Sequence, residues 1–464
     1  MFFILYLLIV MVTVWGIISI SFGFFAVIIC ILSWIYFDRD IAYVAPCVVA
    51  PFFILFRAQD IDNILGALVL DFFMFLSIMY FVFNISKKSF RFPAMIRSIP
   101  IMALTAHLLY TCLNGIAHSS SASSYIVFLR MYAIPIIYLI TFILAVQKNH
   151  QLIGKGLNYF FLSISIVVLV ALAQYFSFFE IPTRNWLNFG KYFVSVETAD
   201  LDKGTGTLSE RGLFWLSGIR INLLLGGSLG TIASLLLCLS LIQLIFKNII
   251  ASRNIVLYNS FAIIGIVGAI FTFSTSMIIA VIWTLVWIFI YKKISFIASG
   301  LIILVATFFL LTSQSFFGIS PITYFNESIL ESISSLFHKG LLLDWLFGIG
   351  PAMYVAGYEI QPDNYITDVG LFKVMQESGI INMLFVIIFI YFTYSRSLYA
   401  LKIQFSKQRI VCAIILSTCL TSVHINCILQ VPFNILFAIA VAGSLAPISE
   451  EKSSLTKPYF LYEK

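Results

Sequence analysis

The chain has 464 residues, of which 61% are hydrophobic and only 10% charged, with a formal net charge of +7. A soluble domain carries about a quarter charged residues and roughly half apolar ones, so this composition excludes an ordinary soluble enzyme. The positive balance is modest and is explained by where the charges lie, with no nucleic acid as partner.

The apolar residues come in repeated runs of about 18 or more, the length needed to cross the hydrocarbon core. They predict an all-α polytopic membrane protein with about 14 transmembrane helices. In chain order these cover 1–20, 22–37, 41–57, 64–84, 98–116, 124–146, 157–178, 214–246, 255–273, 276–291, 295–313, 368–394, 409–426 and 430–447. The opening "MFFILYLLIVMVTVWGIISISFG" has neither a basic segment nor a small-x-small site, and is expected to be the first span rather than a cleaved leader. All seven cysteines fall in or beside apolar runs with no CxxC pair, as expected of small packing residues.

Basic residues set the expected orientation. "SKKSFRFPAMIR", "KNHQLIGKG", "KNIIASRN", "YKKIS", "SRSLYALKIQFSKQR" and the tail "SEEKSSLTKPYFLYEK" all fall on one side and, with Arg39, collect 18 of the 27 lysines and arginines. Lysine and arginine resist translocation, so that side is cytoplasmic and both termini lie there. Two long loops, 179–213 and 312–368, then face the periplasm. They are too short for independent domains and are expected to fold as lids on the span ends. Within the second, "NESILESISSLFHKG" predicts an amphipathic helix near 326–339, with Asn326 as cap, Ile329, Ile333, Leu336 and Phe337 on one face, and Gly340 at its end. Such a helix lies at the membrane interface.

Ionisable residues inside spans cost several kcal/mol unless they face a partner or a watery cavity. Asp71, Arg130, Lys373 and Glu377 are of this kind, with Arg220 near a span entrance and His424 close by. All are expected toward the outer ends of their helices. Asp71 lies about eight residues in, or ~12 Å, and Arg130 about six, or ~9 Å. That shared depth fits one outward-open polar cavity. Two plainer readings stand beside it: an Asp71–Arg130 pair that only fixes packing, and a Lys373–Glu377 pair satisfied at i,i+4. His107, mid-span, is expected to be a packed, hydrogen-bonded core residue.

The first long loop ends in "LSERGLFWLSGIRINLLLGG", where Arg211 and Arg220 flank Trp215 as the chain re-enters the membrane. A guanidinium grips phosphate with a two-pronged fork, and tryptophan suits the interface or a sugar face. Phosphate at a membrane surface means a lipid head group or a lipid-linked substrate. No P-loop, GxGxxG, HExxH or GxSxG is present, so ATP-driven transport is not expected.

The "GIRINLLLGG" span behind a basic loop, "LFGIGP" in the second long loop and "DNYITDVGLFKVMQESGII" at its close resemble the O-antigen polymerase and O-antigen ligase superfamily. The resemblance implies a GT-C-like fold, an undecaprenyl-diphosphate-linked oligosaccharide as donor, and transfer at the periplasmic face of the bacterial inner membrane without a metal or other cofactor. It also implies a chain-length regulator protein as a further partner. Arg211 resembles the family's loop arginine that binds diphosphate, and Gly348 and Pro351 resemble the turn into the second loop's core. Asp363 and Asn364 stand where ligases tend to show His-Asn. The Ser-Arg expected at an outer hairpin is replaced by Ser276-Met277. Both departures favour the polymerase arm.

The expected activity is therefore polymerisation of polysaccharide repeat units. Arg211, Arg220 and Arg130 would bind the diphosphate. Asp363 or Asp368, with Glu377 behind them, would serve the acceptor hydroxyl as catalytic carboxylates, and Trp215, Tyr365 and Lys373 would contact glycan or form the lid. The alternatives are a lipid-linked oligosaccharide flippase, which needs polar residues at all depths and small loops, and an O-antigen ligase. The topology predicts that a cysteine at Thr205 reacts with an impermeant maleimide in intact cells, whereas one at Ser252 reacts only after permeabilisation; the reverse result would invert the protein in the membrane.

Overall fold

The computed structural model describes residues 20–52, 64–86, 98–118, 122–175, 229–245, 255–271, 346–348, 350, 370–403, 407–421, 428 and 433–446. In hydrocarbon every main-chain N–H and C=O must find a partner within the protein, which a helix achieves within one segment. Accordingly every regular element among the described residues is helical. These are α1 (Ile20–Phe37), α2 (Ile41–Val49), α3 (Ile64–Ser86), α4 (Ile99–His118), α5 (Ala122–Phe128), α6 (Ile134–Lys148), α7 (Gln151–Tyr175), α8 (Leu229–Ile245), α9 (Ile255–Phe271), α10 (Gly370–Ile403), α11 (Lys407–Thr421) and α12 (Phe433–Leu445). A 3₁₀ turn, Ala50–Phe52, follows α2, and a π turn, Leu129–Ala133, joins α5 to α6.

Among the described residues three helical stretches, Ile99–His118, Gln151–Leu169 and Glu377–Leu401, are long and apolar enough to cross a membrane, and five shorter apolar helices accompany them. The protein is thus a membrane protein that is helical throughout its described residues. The expected spans at 276–291 and 295–313, both long loops apart from 346–348 and 350, and the amphipathic helix at 326–339 lie outside the described residues, as does nearly all of the span at 1–20.

Helix α12 lies at the centre. All thirteen of its residues are buried, and it packs against α6, α7, α10 and α11. It has no polar face to offer solvent, which is the pattern of a helix enclosed on all sides. Around it α2 packs on α3 and α7, α3 on α6, α4 on α10, and α8 on α9 and α11. Phe72, Phe75, Val82 and Phe83 of α3, and Met102, Leu109, Leu113 and Ile116 of α4, remain exposed. On a helix in lipid these are the faces that meet acyl chains.

Two boundaries differ from expectation. Helix α7 starts at Gln151, not 157, so the basic loop "KNHQLIGKG" shrinks to a turn at Asn149-His150. The Oδ1 of Asn149 accepts from Gln151 N at 3.1 Å and starts the helix. Lys155 is accommodated inside it because its Nζ lies 2.8 Å from both Asp38 Oδ2 and Asp40 Oδ2, on the turn between α1 and α2. Asn149 Nδ2 also donates to Asp40 Oδ2 at 2.9 Å. Helix α10 likewise continues to Ile403, well past the expected end at 394. Its "SRSLYALKI" extension consists largely of residues with good helix propensity. Arg396 has its guanidinium 5.7 Å from the Tyr399 ring.

The Asp38–Asp40–Lys155 cluster joins two turns expected on the same membrane side. Its members are about a quarter to a third exposed. Lys155→Ala is therefore expected to lower stability in detergent by only about 1 kcal/mol. A double-mutant cycle with Asp40→Asn should show the two losses to be non-additive, and strict additivity would show the pair contributes nothing.

Candidate functional site

Polar side chains converge where α4, the π turn, α10 and the "LFGIG" segment meet. Helix α4 carries His107, Thr111, Asn114 and His118 at i, i+4, i+7 and i+11, a single stripe opposite its exposed Met102, Leu109, Leu113 and Ile116. His107, Thr111 and Asn114 are buried and the stripe faces α10. The Nδ1 of His107 donates to Asn382 Oδ1 at 2.9 Å, Asn382 Nδ2 donates to Thr111 Oγ1 at 2.9 Å, and Thr111 Oγ1 donates to His107 O at 2.7 Å. This closed ring of hydrogen bonds makes His107 a packed core residue, as its mid-span position predicts.

Three residues before Asn382, α10 is bent. Gly379 has φ 80° and ψ 172°, a region of the backbone map essentially restricted to glycine. The bend frees the carbonyl of Glu377 from the helical ladder, and inside a membrane that carbonyl needs a new donor. It has two: Asn114 Nδ2 at 3.3 Å and Gly350 N at 2.9 Å. The same Asn114 amide donates to Phe347 O at 2.7 Å, so one side chain ties the helix bend to the "LFGIG" segment. Gly348, also at positive φ, lies against the main chain of Glu377 and Ser378, where a Cβ would overlap. His118 closes this end of the stripe: its Nδ1 donates to Asn114 O at 2.9 Å, and its Cβ lies against Gly350.

The Glu377 side chain is buried, and the residue is 1% exposed. Tyr132 Oη donates to its Oε2 at 2.7 Å. Tyr132 stands on the π turn, braced by the Phe128 ring with centroids 5.0 Å apart, and Phe128 in turn rests on Gly115 of α4. Two residues earlier on that turn, Arg130 Nε donates to Asp71 Oδ2 of α3 in an ion pair whose side chains are 26% and 18% exposed. Side chains two apart on a helical turn diverge by roughly 160–200°. Arg130 and Tyr132 therefore reach different neighbours, and the two carboxylates are served from different sides of one turn.

Of the residues expected to carry function, the structure brings Arg130 to Asp71 and places Glu377 in the polar junction. Lys373 lies in the first part of α10. Arg211, Trp215, Arg220, Asp363, Tyr365 and Asp368 lie outside the described residues, as do Pro351, Asn364 and His424. Sequence reasoning missed Asn114, Tyr132, Asn382 and the bend at Gly379. The stripe on α4 had a visible signal, four polar residues on one face of a span. The role of Tyr132 had none, since a tyrosine in an apolar run reads as packing. No protein-family profile matches the sequence, and no curated protein or solved structure matches it either.

Gly379→Ala is expected to cost at least about 1–3 kcal/mol in backbone strain alone, and the new Cβ would also meet Leu346 O. Its detergent melting temperature should drop well below that of a truncation on the exposed face of the same helix, such as Leu384→Ala. Equal melting temperatures would show that the bend is not required.

Proposed function

We propose that the protein is a polysaccharide repeat-unit polymerase of the bacterial inner membrane. It would transfer a growing glycan from undecaprenyl diphosphate to a hydroxyl of a new lipid-linked repeat unit at the periplasmic face. The observation that carries this reading is the position of charge. The in-span groups Asp71, Arg130 and Glu377 gather at the ends of α3, the π turn and α10 that the basic loops assign to the outside, whereas Asp38, Asp40 and Lys155 meet at a turn on the opposite side. A flippase would need polar groups serving both sides in turn.

In the proposed reaction the bond between the anomeric carbon and the diphosphate oxygen breaks as the acceptor oxygen bonds that carbon. Undecaprenyl diphosphate leaves carrying the charge, and the acceptor proton goes to a carboxylate. Arg211 and Arg220 would hold the diphosphate as its charge develops. Arg130, with Nε given to Asp71 and about a quarter of its side chain exposed, would add a third cation. Asp363 or Asp368 would orient or deprotonate the acceptor hydroxyl, and Trp215, Tyr365 and Lys373 would contact glycan. Fourteen spans in a GT-C-like arrangement with two periplasmic lids, both termini in the cytoplasm and a chain-length regulator as partner complete the reading.

Deleting the gene should leave lipid A core carrying one repeat unit on a polysaccharide gel. Complete loss of surface glycan would point instead to a flippase or ligase, and an unchanged ladder would end the proposal. In the complemented strain, Arg211→Ala or Arg220→Ala at normal protein level should also abolish the ladder.

A further inference from the structure

Glu377 is an ionisable residue inside a span, and such residues in a reactive cavity are natural proton acceptors. Its surroundings are those of a structural junction. The residue is 1% exposed and takes the Tyr132 hydroxyl at 2.7 Å. Its own carbonyl takes two donors, Asn114 Nδ2 and Gly350 N. Through these bonds one residue meets α4, the π turn and the "LFGIG" segment at once.

We infer that Glu377, Tyr132 and Asn114 are positioning residues that lock the bend of α10 to the π turn bearing Arg130 and to the segment 346–350. Glu377 is then not the base of the reaction. Asn114 holds Phe347 O and Glu377 O together, so the segment and the bend move as one body. Tyr132, two residues from Arg130, is pinned by Glu377 Oε2 on one side and by the Phe128 ring on another. The π turn thus cannot rotate without breaking a buried bond to a carboxylate, and Arg130 is held at Asp71 by the same turn. A π turn is one extra residue inserted in an α-helix, and conversion to the regular helix would swing Arg130 away. The Tyr132–Glu377 bond opposes that conversion. Glutamate suits this role because its side-chain oxygens accept from a phenol.

The functional meaning of this clamp rests on the polymerase reading, so its first test reads the protein alone. In purified protein in detergent, Asn114→Ala should speed amide hydrogen exchange in a peptide covering 341–350 by roughly tenfold or more, the loss of about one buried hydrogen bond. Unchanged exchange there would overturn the clamp, whatever the protein catalyses. The second readout is the rate and pH profile of repeat-unit polymerisation by purified variants. Gln keeps an oxygen that accepts from Tyr132, so the rate of Glu377→Gln should fall by no more than about fivefold, with the acid limb of its pH profile unmoved. Glu377→Ala and Tyr132→Phe should each fall by roughly tenfold or more, and their combination should be no worse than the worse single change. A loss of about 100-fold or more in Glu377→Gln, the size expected for a general base, at an unchanged melting temperature would make Glu377 a proton-transfer group and overturn the inference. If the deletion strain makes a normal ladder, the polymerase reading fails while the exchange result still decides the clamp.

Discussion

A bent helix in a membrane leaves main-chain carbonyls that water cannot satisfy, and the polar junction of this protein is arranged around that constraint. Gly379 breaks α10 while still within its apolar run. The freed carbonyl of Glu377 is met by Asn114 and Gly350, and that requirement draws α4 and the "LFGIG" segment to one point. Once they are there, glycines at 348, 350 and 379 are needed, because main chain and side chain approach too closely for a Cβ. Bend, polar stripe and glycine spacing are parts of a single solution.

The π turn extends that solution to a second carboxylate. A widened turn lets Arg130 reach Asp71 on α3 and Tyr132 reach Glu377 on α10, from residues two apart. Asp71, Arg130 and Glu377 are thereby paired or hydrogen-bonded, as their burial demands. The apolar centre supplies the rigidity behind them. Helix α12 is enclosed on all sides, with α6 and α10 packed directly on it. Because α6 continues from the π turn and α10 carries the bend, the two elements that bear the polar junction share one buried support. At the other end, Lys155 between Asp38 and Asp40 ties α7 to the turn between α1 and α2.

Much of the fold was legible because hydrocarbon imposes a simple rule on sequence. Long apolar runs with few charges mark helices, and α1, α3, α4 and α9 begin within two residues of where those runs begin. The misplaced boundaries lie where charge is tolerated inside a helix. Lys155 looked like loop and is helical, because two aspartates 117 and 115 positions away in sequence neutralise it. Asp71 and Arg130 were recognisable as residues of similar depth that hydrocarbon disfavours, with their pairing one of two open readings. That they meet required the packing of α3 against α6, which continues from the π turn. The Asp71–Arg130 pair was legible as one reading, whereas the partners of Glu377 were not.

What the sequence determined by itself is the class of molecule, the helical elements and the residues that cannot sit unpartnered in lipid, since each follows from local composition and the penalty on charge in hydrocarbon. Only the tertiary structure decided that Asn114 and Tyr132 belong with Glu377, that α10 bends at Gly379, and that the "LFGIG" segment is held against that bend. The contacts of Asn114 and Tyr132 with Glu377 join residues 263 and 245 positions apart, and no local pattern encodes which buried donor will reach which orphaned carbonyl.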